Sequence, residues 1–63
     1  MPLIEVKMFA GRTEEQKSHL VRNLTQGTVE ALGVKPETVR VIIHDIPKEN
    51  WAVAGKTFGE KKK

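Results

Sequence analysis

The sequence predicts a small α/β subunit: two parallel strands joined by one helix, then a short C-terminal hairpin, with the sheets completed by oligomerisation. Three observations lead there. Residues 2–9 alternate in hydropathy, residues 14–32 carry an apolar stripe at helical spacing, and residues 38–46 return to alternation. With 63 residues the chain is expected to form a single domain, 1–63. Domains this small seldom stand on one core alone and lean on disulfides, metals or self-association. The chain has no cysteine, and its two histidines, His19 and His44, lack the spacing of a metal pair. Self-association is the remaining aid, so a homo-oligomer is expected.

The elements follow in order. Ile4, Val6 and Met8 share one face of the first segment, and Leu3, Glu5, Lys7 and Phe9 share the other, as in a half-buried strand. Gly11-Arg12 breaks it. Thr13-Glu14-Glu15-Gln16 has the capping-box pattern, with Thr13 as N-cap and Gln16 reaching back to it. Two acidic residues in that first turn suit the helix dipole. The helix is expected from Glu14 to Leu32, burying Leu20, Leu24, Thr28, Ala31 and Leu32, with Val21 and Val29 at the margins. Gly27 in its interior costs about 1 kcal/mol relative to alanine, a cost that close packing would offset. Gly33 supplies the stop and Pro36 bars continuation.

Thr38 to Ile46 reads as the second strand, with Val39, Val41 and Ile43 on one face and Arg40, Ile42 and His44 on the other. Pro47 ends it. Trp51-Ala52-Val53-Ala54-Gly55-Lys56, followed by Thr57-Phe58-Gly59, is too short for a helix with its own core and reads as a small hairpin. A strand, a helix and a strand with short connections imply parallel pairing and a right-handed crossover. Two such strands leave two bare edges and one uncovered face, which pairing with other subunits would remedy.

The net charge of +3 is local. Residues 1–60 hold eight Lys/Arg against eight Asp/Glu, so the whole excess is Lys61-Lys62-Lys63, read as a solvated end. Two phenylalanines and one tryptophan make no platform for stacking bases. No nucleic-acid partner is expected. No apolar run has the length of a membrane span or signal-peptide core, which points away from membranes and export. The lack of cysteine fits a cytoplasmic location.

Pro2 carries the chemistry. Once Met1 is removed it would present a secondary amine, a group available to a protein only at an N-terminal proline. Beside cations in an apolar pocket such an amine loses its proton more readily and becomes a base at neutral pH. Pro2 followed by Gly11-Arg12-Thr13-Glu14-Glu15-Gln16-Lys17 resembles the opening of the 4-oxalocrotonate tautomerase family. Val39-Arg40-Val41-Ile42-Ile43 resembles the family's second strand, and Trp51-Ala52-Val53-Ala54-Gly55-Lys56 its C-terminal segment. Each motif is weak alone; in this order and spacing, across nearly the whole chain, they are specific.

The resemblance implies a βαββ subunit, dimers whose sheets join, and usually a trimer of dimers, hence a homohexamer. It implies a cofactor-independent tautomerase or isomerase acting on enol or dienol forms of unsaturated α-keto acids, with a small-molecule carboxylate as substrate. Carried over, Pro2 is the general base that takes a proton from one carbon and returns it to another. Arg40 holds the carboxylate and enolic oxygen, Arg12 grips a second carboxylate or draws electrons toward the far end, and Trp51 walls the pocket. These residue types suit the reaction, because fixed guanidinium groups hold an enolate's charge without reorganising. Apolar walls strengthen that hold.

Three departures stand out. Ala10 replaces an acid found in many members, Trp51 replaces a more usual phenylalanine, and Ala52-Val53-Ala54 lacks the carboxylate that hydratase and dehalogenase relatives need. Taken singly, Arg12 reads as a solvated loop arginine, Arg40 as a cross-sheet partner for Glu5, and Trp51 as interface packing. Phe9 and His44 read as packing or polar interface residues. The alternative to an enzyme is a non-catalytic βαβ oligomer that binds or assembles, its N-terminus blocked.

Overall fold

Alternation makes the first strand, β1, over Leu3–Phe9; the structure, a computed structural model, describes residues 1–61. Gly11, at φ 120°, turns the chain away from the strand. Helix α1 then runs over Glu14–Leu32 with both arms of the capping box formed. The Gln16 backbone N–H donates to Thr13 Oγ1 and the Thr13 N–H to Gln16 Oε1, each at 3.0 Å. At the far end Gly33 adopts the left-handed conformation, φ 68°, and its N–H donates to the Val29 carbonyl.

The second strand, β2, covers Arg40–Ile46, two residues shorter than expected. Pro36–Thr38 form a 3-10 turn instead. The Thr38 N–H and hydroxyl both donate to the Lys35 carbonyl, at 3.0 and 2.7 Å. A threonine preceded by Pro-Glu satisfies itself locally before the ladder begins. β1 and β2 pair in parallel, in the register Leu3↔Arg40 to Phe9↔Ile46, with α1 as the crossover.

Parallel register sorts the side chains. Ile4, Val6 and Met8 fall with Val41, Ile43 and Asp45 on the face toward α1, where Lys17 forms an ion pair with Asp45. Leu3, Glu5, Lys7 and Phe9 fall with Arg40, Ile42, His44 and Ile46 on the opposite, open face. Leu20, Val21, Leu24, Thr28 and Val29 of α1 are half-buried, but Ala31 and Leu32 are exposed, Leu32 by 62%. The expected stripe therefore stops short. Nineteen helical residues span about 28 Å and seven strand residues about 23 Å, so the last turn overhangs the sheet. Gly27 meets no atom within 4 Å of where a Cβ would stand, so nothing in the protomer packs closely there.

After a 3-10 turn at Lys48–Asn50, strands β3 (Ala52–Val53) and β4 (Lys56–Thr57) form the expected antiparallel hairpin. Ala54 and Gly55 turn it with positive φ at both positions, 55° and 80°. Residues Phe58–Lys61 then form a short helix, α2, although Phe58 and Gly59 were expected within the hairpin and Lys61 in a solvated end. Lys62 and Lys63, two of the three lysines of the expected solvated end, lie outside the described residues.

Among the described residues no side chain is fully buried. The protomer measures 46 × 24 × 13 Å with a radius of gyration of 15.0 Å, against about 10.6 Å for a compact chain of this length. Its accessible surface of 5006 Å² likewise exceeds the roughly 4,100 Å² expected of a folded monomer of this mass. It is a thin, one-sided layer.

Candidate active site

The ladder that joins the strands also sets the first half of the site. Pro2 immediately precedes β1, and its carbonyl accepts the Arg40 backbone N–H at 3.0 Å. Arg40 therefore stands beside Pro2 through the main chain, and not through a side-chain contact. Its guanidinium turns back along the 3-10 turn, where Nη1 donates to the Glu37 carbonyl at 2.8 Å. The pairing of Arg40 with Glu5 that β-strand proximity suggested does not form. Glu5 Oε2 faces His44 Nε2 at 3.8 Å, beyond hydrogen-bond length. That nitrogen is closed to solvent and has no partner within the described protomer. The Pro2 nitrogen is amide-bonded to Met1 in the full chain, and Met1 is 85% exposed.

The other candidates lie at the opposite end of β1. Arg12 borders a cleft of about 200 Å³ with Met8, Gln16 and Leu20, on the side of the sheet that α1 covers. Trp51 lies on the other side, against the end of the strand. Its ring centroid is 4.4 Å from that of Phe9 at 50° between planes, and Phe9 in turn is 5.1 Å from Phe58 at 48°. Such tilted pairs are worth about 0.5–1.5 kcal/mol beyond area burial. The Phe58 N–H donates to the Trp51 carbonyl at 2.9 Å, closing the hairpin behind the rings. Phe9 is thus the anchor that holds the C-terminal segment to the sheet.

Trp51 also borders a cleft of about 390 Å³ with Lys7, Ile46, Asn50 and Ala52. A larger hollow of about 690 Å³ runs along α1 between Glu14, Glu15, Lys17, Ser18 and Val21. It is a shallow flank of the helix and holds none of the candidate residues.

The four candidates therefore divide into two pairs. Pro2 and Arg40 come together at the start of β1; Arg12 and Trp51 stand near its end, on opposite sides of the sheet. From Pro2 to Phe9 is about 23 Å along an extended strand, several times the reach of an arginine side chain. One protomer does not unite them. Phe9 is a packing residue, as the sequence reads it, but its partners escaped, because nothing in an alternating strand says which distant ring will meet its last residue. Among the described residues no group of three or more His, Cys, Asp or Glu could hold a metal ion, and no helix is long and apolar enough to cross a membrane.

Comparison with known proteins bears on this arrangement. A family model described as tautomerase enzyme matches residues 2–61. The chain is 49% identical over 55 residues to a 2-hydroxymuconate tautomerase of Comamonas testosteroni, covering 87% of each chain. Among solved structures it is similar to a 4-oxalocrotonate tautomerase isozyme from Methylibium petroleiphilum, with 42% identity and a TM-score of 0.89, over 98% of this chain and 100% of that one. It is also similar to a chain of a heterohexameric 4-oxalocrotonate tautomerase from Chloroflexus aurantiacus, with 37% identity and a TM-score of 0.88, over 95% and 97%.

Proposed function

The chain belongs to the tautomerase family of enzymes, and on that premise we propose that it shifts a proton along the enol or dienol form of an unsaturated α-keto acid, without a cofactor. Pro2, freed of Met1, is the base. Its amine takes a proton from one position of the conjugated system and returns it to another. The bonding electrons stay within the substrate, so nothing is oxidised or reduced. Arg40 holds the carboxylate and the oxygen on which charge gathers. Cations fixed before the reaction stabilise that charge without reorganising.

The observation that carries this reading is the bond from the Arg40 N–H to the Pro2 carbonyl at 3.0 Å, which keeps the backbone of Arg40 beside the candidate base. Arg12 and Trp51 take part as the gripping cation and the wall, and both must then come from a different protomer than Pro2. The absence of any fully buried side chain, the bare sheet edges and the open face support an oligomer built from dimers. A hexamer would supply such neighbours, as in the heterohexameric relative from Chloroflexus aurantiacus. Membership of an enzyme family leaves the non-catalytic assembly module without a supporting observation.

The test is the state of the N-terminus. A form extended so that Pro2 stays in an amide keeps every side chain yet loses the amine. Loss of general-base catalysis should lower turnover of 2-hydroxymuconate by about 10²–10⁴-fold relative to the processed form. Mass spectrometry verifies each N-terminus. Equal rates from the two forms would remove Pro2 from the mechanism.

A further inference from the structure

The face of the sheet that α1 covers carries a single charge. Ile4, Val6, Met8, Val41 and Ile43 are apolar there, and Asp45, near the end of β2, is an acid. We propose that Lys17 is a positioning residue: by occupying Asp45 it leaves the guanidinium of Arg12 free to take hold of substrate. This inference rests on the tautomerase reading of Arg12, and it names the residue that keeps that arginine available.

A carboxylate partly withdrawn from water costs free energy until a cation meets it. Two cations are at hand. Lys17, one turn into α1, has its Nζ on Asp45 Oδ2. Arg12 is the other. Asp45 stands in register with Met8, and Met8 and Arg12 border one cleft of about 200 Å³ with Gln16 and Leu20. The loop that carries Arg12 is tied to the same end of β2, since the Ala10 N–H donates to the Ile46 carbonyl at 2.9 Å. Ala10, Gly11 and Thr13 bring no charge of their own. Glu14 and Glu15 follow in the first turn of α1, but both are exposed, and water and salt screen an acid there. The Lys17 and Asp45 side chains are only 29% and 38% exposed. Asp45 is therefore the acid best placed to capture Arg12.

Lys17 prevents that capture. With the lysine in place, Arg12 makes neither an ion pair nor a hydrogen bond among the described residues. Its charge is left for an incoming anion. The arrangement carries an asymmetry. Loss of Lys17 strands an acid that then competes with substrate for Arg12, whereas loss of Asp45 leaves a lysine that competes for nothing. A pair that only held α1 to the sheet would suffer alike from either loss.

Two readouts test this on the processed protein. Nitrogen-15 NMR of the Arg12 Nε–H reports pairing without any ligand. That signal should shift and gain protection from water exchange in Lys17→Gln, and return to its original place in Lys17→Gln/Asp45→Asn. Trp51 is the chain's one tryptophan, so its fluorescence reports binding of hexa-2,4-dienedioate and hexa-2,4-dienoate without turnover. Lys17→Gln should weaken the dioate by about fivefold and the monoanion by less than about twofold. Asp45→Asn alone should leave the dioate within about twofold, and added to Lys17→Gln it should restore the lost affinity. An Arg12 signal unaltered in Lys17→Gln, or a dioate loss that Asp45→Asn fails to restore, overturns the proposal. A shifted Arg12 signal with an unchanged ratio of affinities would support the guarding role of Lys17 and count against Arg12 as the gripping cation. Failure of the unmutated enzyme to turn over any enol would count against the tautomerase mechanism, and the Arg12 signal would still decide on Lys17.

Discussion

Arg12 and Arg40 are the same side chain in two different settings, and the difference is measurable. Arg40 is joined to Pro2 through the main chain while its guanidinium rests on the Glu37 carbonyl; in the proposed mechanism its charge is wanted where the enolate forms. Arg40→Ala should lower kcat on a dienol substrate by about 10²–10³-fold, the usual cost of losing a donor aimed at developing charge. Arg12→Ala should act chiefly on KM, and more for a dicarboxylate than for a monocarboxylate. Steady-state kinetics on one substrate of each type separates them; equal, mild losses would mean that neither touches the reacting system. Pro2, Arg12, Arg40 and Trp51 stand out as candidates in the sequence through the family resemblance of the motifs that hold them. Their division between the two ends of a strand does not. Motif order says nothing about which side of a sheet a loop arginine reaches.

Local chemistry decided the elements, and where it was local the sequence showed it. The capping box at Thr13 and Gln16 and the left-handed Gly33 bound α1 as expected, because each is satisfied by residues within one turn. Thr13→Ala should therefore cost about 1 kcal/mol, read as a lower urea midpoint at fixed protein concentration with the slope unchanged. A midpoint equal to that of the unmutated chain would show that the cap adds nothing in the assembled protein. The start of β2 was misjudged because Thr38 has two outlets, the ladder and the Lys35 carbonyl, and only geometry chooses between them. The end of the helical stripe was misjudged because periodicity counts residues and not the length of the sheet beneath. In α2, Thr57 Oγ1 accepts the Glu60 N–H at 3.2 Å, a cap whose register in Thr-Phe-Gly-Glu was too brief to read as a helix start.

Taken whole, the chain is a layer in search of a core. With a radius of gyration of 15.0 Å and no fully buried side chain among the described residues, the free protomer should not persist. Analytical ultracentrifugation at micromolar concentration should show a multiple of the dimer, and the melting temperature should rise with protein concentration as mass action requires. A folded monomer with a concentration-independent melt would contradict this. The need for partners was legible from length and missing cysteines, but which surfaces they cover depends on three-dimensional shape. The separation of Pro2 from Trp51 along β1 has a consequence of its own. When a site borrows its base from one copy and its wall from the next, damage is not confined to the chain that carries it. Each faulty copy spoils sites on both sides, yet two differently faulty copies can repair one another, one lending an intact amine and the other an intact ring. Under the proposed division of the site, the working unit in a mixed population is the seam between neighbours, and two alleles inactive for different reasons should complement each other.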